Sequence, residues 1–271
     1  MTEESCIWCG ETRISSLEHI VPEALGCPPG FVLKKGVCAP CNNRNGKLDR
    51  ALLTPFEIMT VLKGLVRKRG KRPTVDGFRS LSSAYNNDGP VFFINREKHP
   101  IELPNGAKLA GVNGTDPLKE FEFSRNADGT ATLKYNQELR FDRQTVRGLF
   151  KIAVEAIAHF EGLEAARDPS LTAVKQFVMA GKGNFRAILT PDENTKYESY
   201  FGPCHISQNG SRVYGMTLLG IGFLCDFDPE FGGGAALLDE ARNQKVQAQV
   251  VPNWPREIWL RNNPSSIERT R

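Results

Sequence analysis

The sequence predicts an α+β protein in which a small zinc-stapled module precedes a larger mixed α+β domain. Three observations carry that expectation. Two Cys-x-x-Cys pairs, Cys6/Cys9 and Cys38/Cys41, bracket the N-terminal segment. One long amphipathic helical stripe runs over 141–162. Short segments of β character flank that stripe on both sides. At 271 residues the chain has room for both parts, which are expected at 1–72 and 73–271.

Each Cys-x-x-Cys presents two thiolates at the tip of a tight turn, and two pairs complete a tetrahedral four-sulfur set. A redox pair needs no partner pair and sits in a thioredoxin-like βαβ pattern, which this N-terminus lacks. Structural zinc on Cys6, Cys9, Cys38 and Cys41 is therefore expected. The 28 residues between the pairs exceed an ordinary zinc ribbon. Inside that gap, Ile14 to Leu17 reads as a strand, Glu23 to Leu25 as a helical turn, and Cys27-Pro28-Pro29-Gly30 as a loop. Glu18 and His19 stand between strand and turn. A histidine is the usual general base near neutral pH, and a carboxylate is a hard oxygen ligand for a magnesium-type ion. Neighbours on a strand point to opposite faces, so these two side chains diverge unless the backbone bends.

The order Cys-x-x-Cys, Glu18-His19-Ile20-Val21-Pro22-Glu23-Ala24-Leu25-Gly26, Cys-x-x-Cys-Asn42-Asn43-Arg44-x-Gly46-Lys47-x-Asp49 resembles the zinc-containing branch of the HNH endonucleases, built on a ββα-metal finger. The likeness covers residues 6 to about 53. It implies a nuclease that hydrolyses phosphodiester bonds with His19 as general base. It also implies one catalytic Mg²⁺ or Mn²⁺ on Glu18 and Asn42, and a closed zinc with a purely structural role. The family's central Asn would fall near Gly30 to Leu33, where this chain has none. DNA is the expected substrate, with RNA the other polymer such a finger cuts. Proteins resembling this arrangement occur in bacterial restriction, phage and anti-phage systems, so the second domain is expected to recognise DNA, bind a regulatory protein or small-molecule activator, or mediate assembly such as a dimer. The reading from another class is a non-catalytic zinc finger that binds nucleic acid or protein; the Glu18-His19 pair, which a binding module does not need, argues against it.

Arg44 and Lys47 are candidates for phosphate contacts, with an ordinary solvated surface as the equal alternative. Farther on, Thr54-Pro55-Phe56-Glu57 has the form of a capping box, and Phe56, Met59, Leu62, Leu65 and Val66 recur at helical spacing, which predicts a helix to about Lys68. Its end is a basic run, Lys63, Arg67, Lys68, Arg69, Lys71 and Arg72, read as a clamp on the nucleic-acid backbone or as a solvated face. Residues 70 to 90 are loop-like in composition. Strands are expected at Val91 to Ile94, Leu118 to Phe123 and Thr130 to Tyr135, the last two forming a hairpin through Asp128-Gly129. The stripe Val146, Leu149, Phe150, Ala153, Ile157 and Phe160 predicts a helix over 141–162, with Lys151, Glu155 and His159 on its polar face.

A shorter helix is expected from Ser170 to Met179. Strands follow at Arg186 to Leu189, Val213 to Leu224 and Val246 to Val251, the middle one read as a single long central strand. Gly181-Lys182-Gly183 and Phe231-Gly232-Gly233-Gly234 lack complete phosphate-binding fingerprints and read as loops. Cys204-His205 with Cys225 is an incomplete metal set, and Trp254 and Trp259 are taken as anchors of the tail. A net charge of +4 leaves attraction to nucleic acid to local patches. No 18-residue apolar run occurs, so neither a membrane span nor a secretory leader is expected. Seven cysteines, an odd number, suit a reducing compartment, and the expected location is the cytoplasm.

Overall fold

A computed structural model describes residues 3–66, 70, 72–73, 81–86, 89–95, 97–103, 106, 108–111, 118–128, 131–137, 141–191, 198–203, 205–206, 212–244 and 246–251. They form a mixed α+β structure. Its two compact units are residues 1–53 with 140–271, and residues 54–139. The expected boundary at 72 follows motif content, whereas packing puts the C-terminal part of the chain in one unit with the cysteine-rich segment.

The chain opens with an antiparallel hairpin, β1 (Glu3–Ser5) and β2 (Thr12–Ile14), whose turn carries the first cysteine pair. Gly10 closes that turn at φ 76°, a left-handed conformation that glycine adopts without steric cost. The strand expected through Leu17 ends at Ile14; Ser15 instead bridges Cys38. Next, β3 (Glu18–His19) pairs antiparallel with β4 (Val32–Leu33), Glu18 opposite Leu33 and His19 opposite Val32. The expected helical turn at Glu23–Leu25 is a single 3₁₀ turn.

Helix α1 (Ala39–Leu62) begins well before the start read from the sequence. Asparagines and a glycine between 42 and 46 make poor helix formers, so local propensity hides its first turns. The apparent capping box at Thr54 lies in mid-helix, with Pro55 inside. Proline has no N–H to give the carbonyl four residues back. That carbonyl, on Ala51, accepts a hydrogen bond from the Thr145 hydroxyl at 3.3 Å.

The second unit contains three hairpins among its described residues: β5 (Leu81–Asn86) with β6 (Gly89–Ile94), β7 (Ile101–Glu102) with β8 (Lys108–Leu109), and β9 (Leu118–Arg125) with β10 (Ala131–Gln137). The last is the expected hairpin, with Phe123 opposite Leu133; its turn residue Gly129 lies outside the described residues. β5 falls in the stretch read as loop, because Leu-Ser-Ser-Ala-Tyr-Asn carries no strong β signal and its strand state comes from pairing with β6. Buried Asn95 closes the turn that follows, its amide donating to the carbonyls of His99 and Leu109.

Back in the first unit, α2 (Arg143–Phe160) starts at Asp142, whose carboxylate accepts from the Thr145 N–H at 2.8 Å. Val146, Leu149, Phe150, Ala153 and Ile157 of the expected stripe are buried, whereas its last member, Phe160, is exposed at the end of the helix. The expected polar face, however, is not solvated: Lys151 and Glu155 are each 0% exposed, and only His159 of that trio is at the surface. Gly148 lets α2 approach α1 closely, since a Cβ there would sit 3.2 Å from the Leu48 carbonyl oxygen. α3 (Leu163–Arg167) follows, and a 3₁₀ turn at Pro169–Leu171 runs into α4 (Thr172–Ala180), near the expected span. Gly181 ends α4 at φ 69°.

An antiparallel sheet completes this unit, in the order β12 (Tyr200–Phe201), β14 (Arg212–Leu218), β15 (Ile221–Asp226), β11 (Ala187–Pro191), β16 (Gln249–Val251), with β13 (His205–Ile206) also on β14. The single strand expected from Val213 to Leu224 is thus a hairpin, turned at Leu219 (φ 49°) and Gly220 (φ 83°). Apolar residues on both arms conceal the reversal. The Gly232 cluster is also not a loop: it opens α5 (Gly232–Asn243), with Asp226 and Asp228 accepting from the N–H groups of Gly234 and Gly232. Phe150 packs edge-on against Phe177, with ring centroids 5.6 Å apart, at the centre of the core.

The α1–α2 crossing yields a stability prediction. Replacing Gly148 by Leu is expected to cost about 1–3 kcal/mol through overpacking. The readout is a lower urea midpoint with an unchanged slope. An unchanged midpoint would mean that the helices do not meet at this position.

Candidate metal centre and acid-histidine strand

Two unlike elements present the four cysteine sulfurs. Cys6 and Cys9 lie on the β1–β2 turn, where Gly10 N–H donates to the Cys6 carbonyl at 2.8 Å. Cys38 and Cys41 lie at the start of α1, where the Asn42 N–H closes onto the Cys38 carbonyl at 3.0 Å. The four sulfur atoms all fall within 4.8 Å of one another. Cys38 N–H points at the Cys6 sulfur, 3.5 Å away, and the Cys9 and Cys38 sulfurs are 3.8 Å apart. Burial and the neighbouring cysteines push the Cys41 thiol well up, the expected result of crowding like groups out of water. A tetrahedral soft cation removes that conflict, so the cluster is consistent with a zinc site held by Cys6, Cys9, Cys38 and Cys41. Cys27 stands apart with its thiol toward the Phe31 carbonyl at 3.3 Å. Cys225 is buried on β15, and Cys204 lies outside the described residues.

Glu18 and His19 diverge as strand geometry requires. Glu18 turns inward and is 2% exposed, whereas the His19 side chain remains one-third exposed. His19 Nε2 lies 3.2 Å from Glu23 Oε1, on the 3₁₀ turn four residues later. Asn42 faces the same strand from α1: its amide nitrogen donates to the Leu17 carbonyl at 2.9 Å and to the Ser16 hydroxyl at 3.2 Å. It thereby braces the segment that enters Glu18-His19. Its amide oxygen carries no hydrogen bond among the described residues.

The site also includes groups that the motif did not name. Lys151 of α2 brings its ammonium 2.5 Å from Glu18 Oε1, 3.1 Å from Asp49 Oδ1 and 3.3 Å from Glu155 Oε2, and donates to the His19 carbonyl at 3.2 Å. Trp8, between the first two cysteines, donates its indole N–H to Glu155 Oε1 at 3.1 Å. Burial is the main influence on Glu18 and raises its carboxyl, with the Lys151 ammonium opposing. Glu155 is raised well above the ordinary carboxylate range, first by burial and then, against the pull of Lys151, by Glu18 and Asp49. Burial disfavours the charged form of Lys151, yet Glu155, Asp49 and Glu18 outweigh it and hold the ammonium protonated. Asn45, one turn before Asp49 on α1, is 1% exposed, and neither atom of its amide has a hydrogen-bond partner among the described residues.

Arg44 and Lys47 are exposed, one turn apart on α1. Of the basic run, Arg72 is exposed, while Arg67, Lys68, Arg69 and Lys71 lie outside the described residues, as do Trp254 and Trp259. No described helix is long and apolar enough to cross a membrane. Glu23 could have been found from its i+4 spacing to His19. Lys151 and Glu155 carried one signal, their i, i+4 spacing as an ion pair on α2. No protein-family model, curated protein or solved structure matches the chain.

The cysteine cluster and the buried carboxyl each set a measurable expectation. Protein purified without chelator is expected to hold one zinc per chain by elemental analysis, and Cys38→Ser to lose it together with a cooperative thermal transition. The buried carboxyl of Glu155 sets a pH dependence. A raised carboxyl contributes its stability fully below the unfolded value of about 4.3 and loses it as pH climbs toward the folded value. Stability is therefore expected to decline as pH rises from about 4.3 toward neutrality, and Glu155→Gln to flatten that decline in urea titrations run at several pH values.

Proposed function

We propose that the chain is a metal-dependent endonuclease of the HNH type that hydrolyses phosphodiester bonds of DNA. The observation that supports this reading most is the partly exposed His19, its Nε2 3.2 Å from Glu23 Oε1, on a strand pair that precedes a helix and is bounded by the four-cysteine cluster. The order β3, β4, α1 agrees with a ββα-metal finger. With Nε2 directed to Glu23, Nδ1 is the nitrogen left to take a proton from an attacking water. Glu23 orients the ring and stabilises the imidazolium once the proton has moved.

The donor set fits a hard divalent ion. Among the described residues no hydrogen bond reaches Glu18 Oε2 or Asn42 Oδ1, and both are oxygen ligands of the kind Mg²⁺ and Mn²⁺ prefer. Bound there, such an ion would supply charge neutralisation at the scissile phosphate and at the leaving 3′ oxygen. Asn42 also fixes the Leu17 carbonyl and so holds the strand that carries His19. Exposed Arg44 and Lys47 are suited to the phosphates on either side of the cut. The basic run from Lys63 to Arg72 is proposed as a further backbone contact, and a regulatory protein or small-molecule activator as a ligand of the rest of the chain.

One observation favours a second reading. Glu18 is nearly inaccessible and already neutralised by Lys151, as expected of a zinc-stapled binding module without activity. Incubation with supercoiled plasmid and with structured RNA in Mg²⁺ or Mn²⁺ separates the two. Cleavage by the native chain is expected to fall at least a hundredfold in His19→Ala, within the usual range for loss of a general base, with zinc content unchanged. Glu23→Gln should reduce it less. Binding without cleavage under all these conditions would favour the module, and equal cutting by His19→Ala would remove His19 from the mechanism.

A further inference from the structure

We propose that Lys151 is an internal competitor for the divalent ion, its ammonium and the ion being alternative partners of Glu18 and Asp49. The inference rests on the nuclease reading for Glu18 as a ligand of the ion, and it adds Asp49 as a further ligand and Lys151 from outside the finger. Four oxygens surround the Lys151 nitrogen at 2.5 to 3.3 Å, from Glu18, Asp49, Glu155 and the His19 carbonyl. That is the oxygen environment of a bound cation, supplied by groups from β3, α1 and α2.

Lys151 is 0% exposed, so its ammonium reaches no substrate and acts only through the groups it holds. A second observation concerns the turn of α1 next to Asp49. Asn45 stands one turn from Asp49 on the same side of α1, 1% exposed, with its amide oxygen and nitrogen both lacking partners among the described residues. A buried amide in that state has lost its water without gaining a hydrogen bond, a costly arrangement that a cation beside Asp49 would relieve through the amide oxygen. Two positive charges cannot share Glu18 and Asp49 at contact distance in so dry a setting, because their repulsion is poorly screened there. Lys151 thus acts as a positioning residue that raises the ion concentration at which the site is filled, while keeping Glu18 and the His19 strand in place until then.

The test uses zinc-loaded full-length protein and Mn²⁺ as the probe, measured by calorimetry. The paired variant Lys151→Met with Glu155→Gln removes the ammonium together with its i+4 carboxyl partner, and the introduced amide oxygen can still accept from Trp8. Mn²⁺ is expected to bind this variant at least tenfold more tightly than the native chain, and Glu18→Gln on either background to abolish that binding. Equal or weaker binding by a variant with native zinc content and near-ultraviolet dichroism would overturn the proposal, as would binding that survives Glu18→Gln. Should the variant not fold, the native chain decides the matter by nuclear magnetic resonance: the slowly exchanging ammonium signal of buried Lys151 is expected to shift or vanish as Mg²⁺ is added, and a signal unchanged at about 50-fold excess, about 50 mM Mg²⁺ over a sample of about 1 mM, would sink the idea. None of these readouts involves cleavage, so failure here is distinct from failure of the nuclease reading.

Discussion

A single ammonium group, that of Lys151, holds the first unit's functional region in register. It is fully buried, and three carboxylates and one carbonyl from three separate elements converge on it. Removing one member of such a network leaves the rest uncompensated in a poor solvent for charge, at a cost of about 3–5 kcal/mol. That constraint explains why the middle of α2 is buried even on the face that carries Lys151 and Glu155. It also explains why Glu18 points inward while His19, its neighbour on the strand, stays within reach of water.

The cysteine cluster is the second constraint, and the two are joined. Trp8 sits between Cys6 and Cys9 yet reaches Glu155, so the turn that would hold zinc also touches the buried charge network. Asn42 directly follows Cys41 and holds the Leu17 carbonyl. A segment with strands of only two residues cannot define a site by backbone pairing alone. The clustered cysteines at one side and the lysine network at the other give it rigid neighbours.

Much of this is legible in the residues themselves. The cysteine set, the 3₁₀ turn after His19, the β9–β10 hairpin and the apolar stripe of α2 follow from spacing and turn chemistry. The departures have identifiable causes. Local propensity starts α1 too late because Asn42 to Gly46 disfavour a helix, while the cysteine pair and the contacts with α2 stabilise one. The tight turn at Leu219-Gly220 is hidden because leucine rarely adopts a positive φ. The Lys151 network is invisible for a different reason: charged residues at helical spacing normally face solvent, and only the packing of α2 against Glu18 and Asp49 reveals a buried cation. Asn42 reads as a ligand by position, and the structure gives its amide nitrogen a bracing contact as well.

The central claim is that this arrangement cuts nucleic acid by hydrolysis, with water activated at His19 and the 3′ oxygen as leaving group. The most direct measurement is the chemistry of the ends produced when zinc-loaded protein and Mg²⁺ act on a plasmid. The account predicts 5′ phosphates and 3′ hydroxyls that DNA ligase seals without prior treatment. Ends that ligase cannot join until a 3′ phosphate is removed and a 5′ phosphate added would contradict it, as would a plasmid left intact across all divalent-ion concentrations.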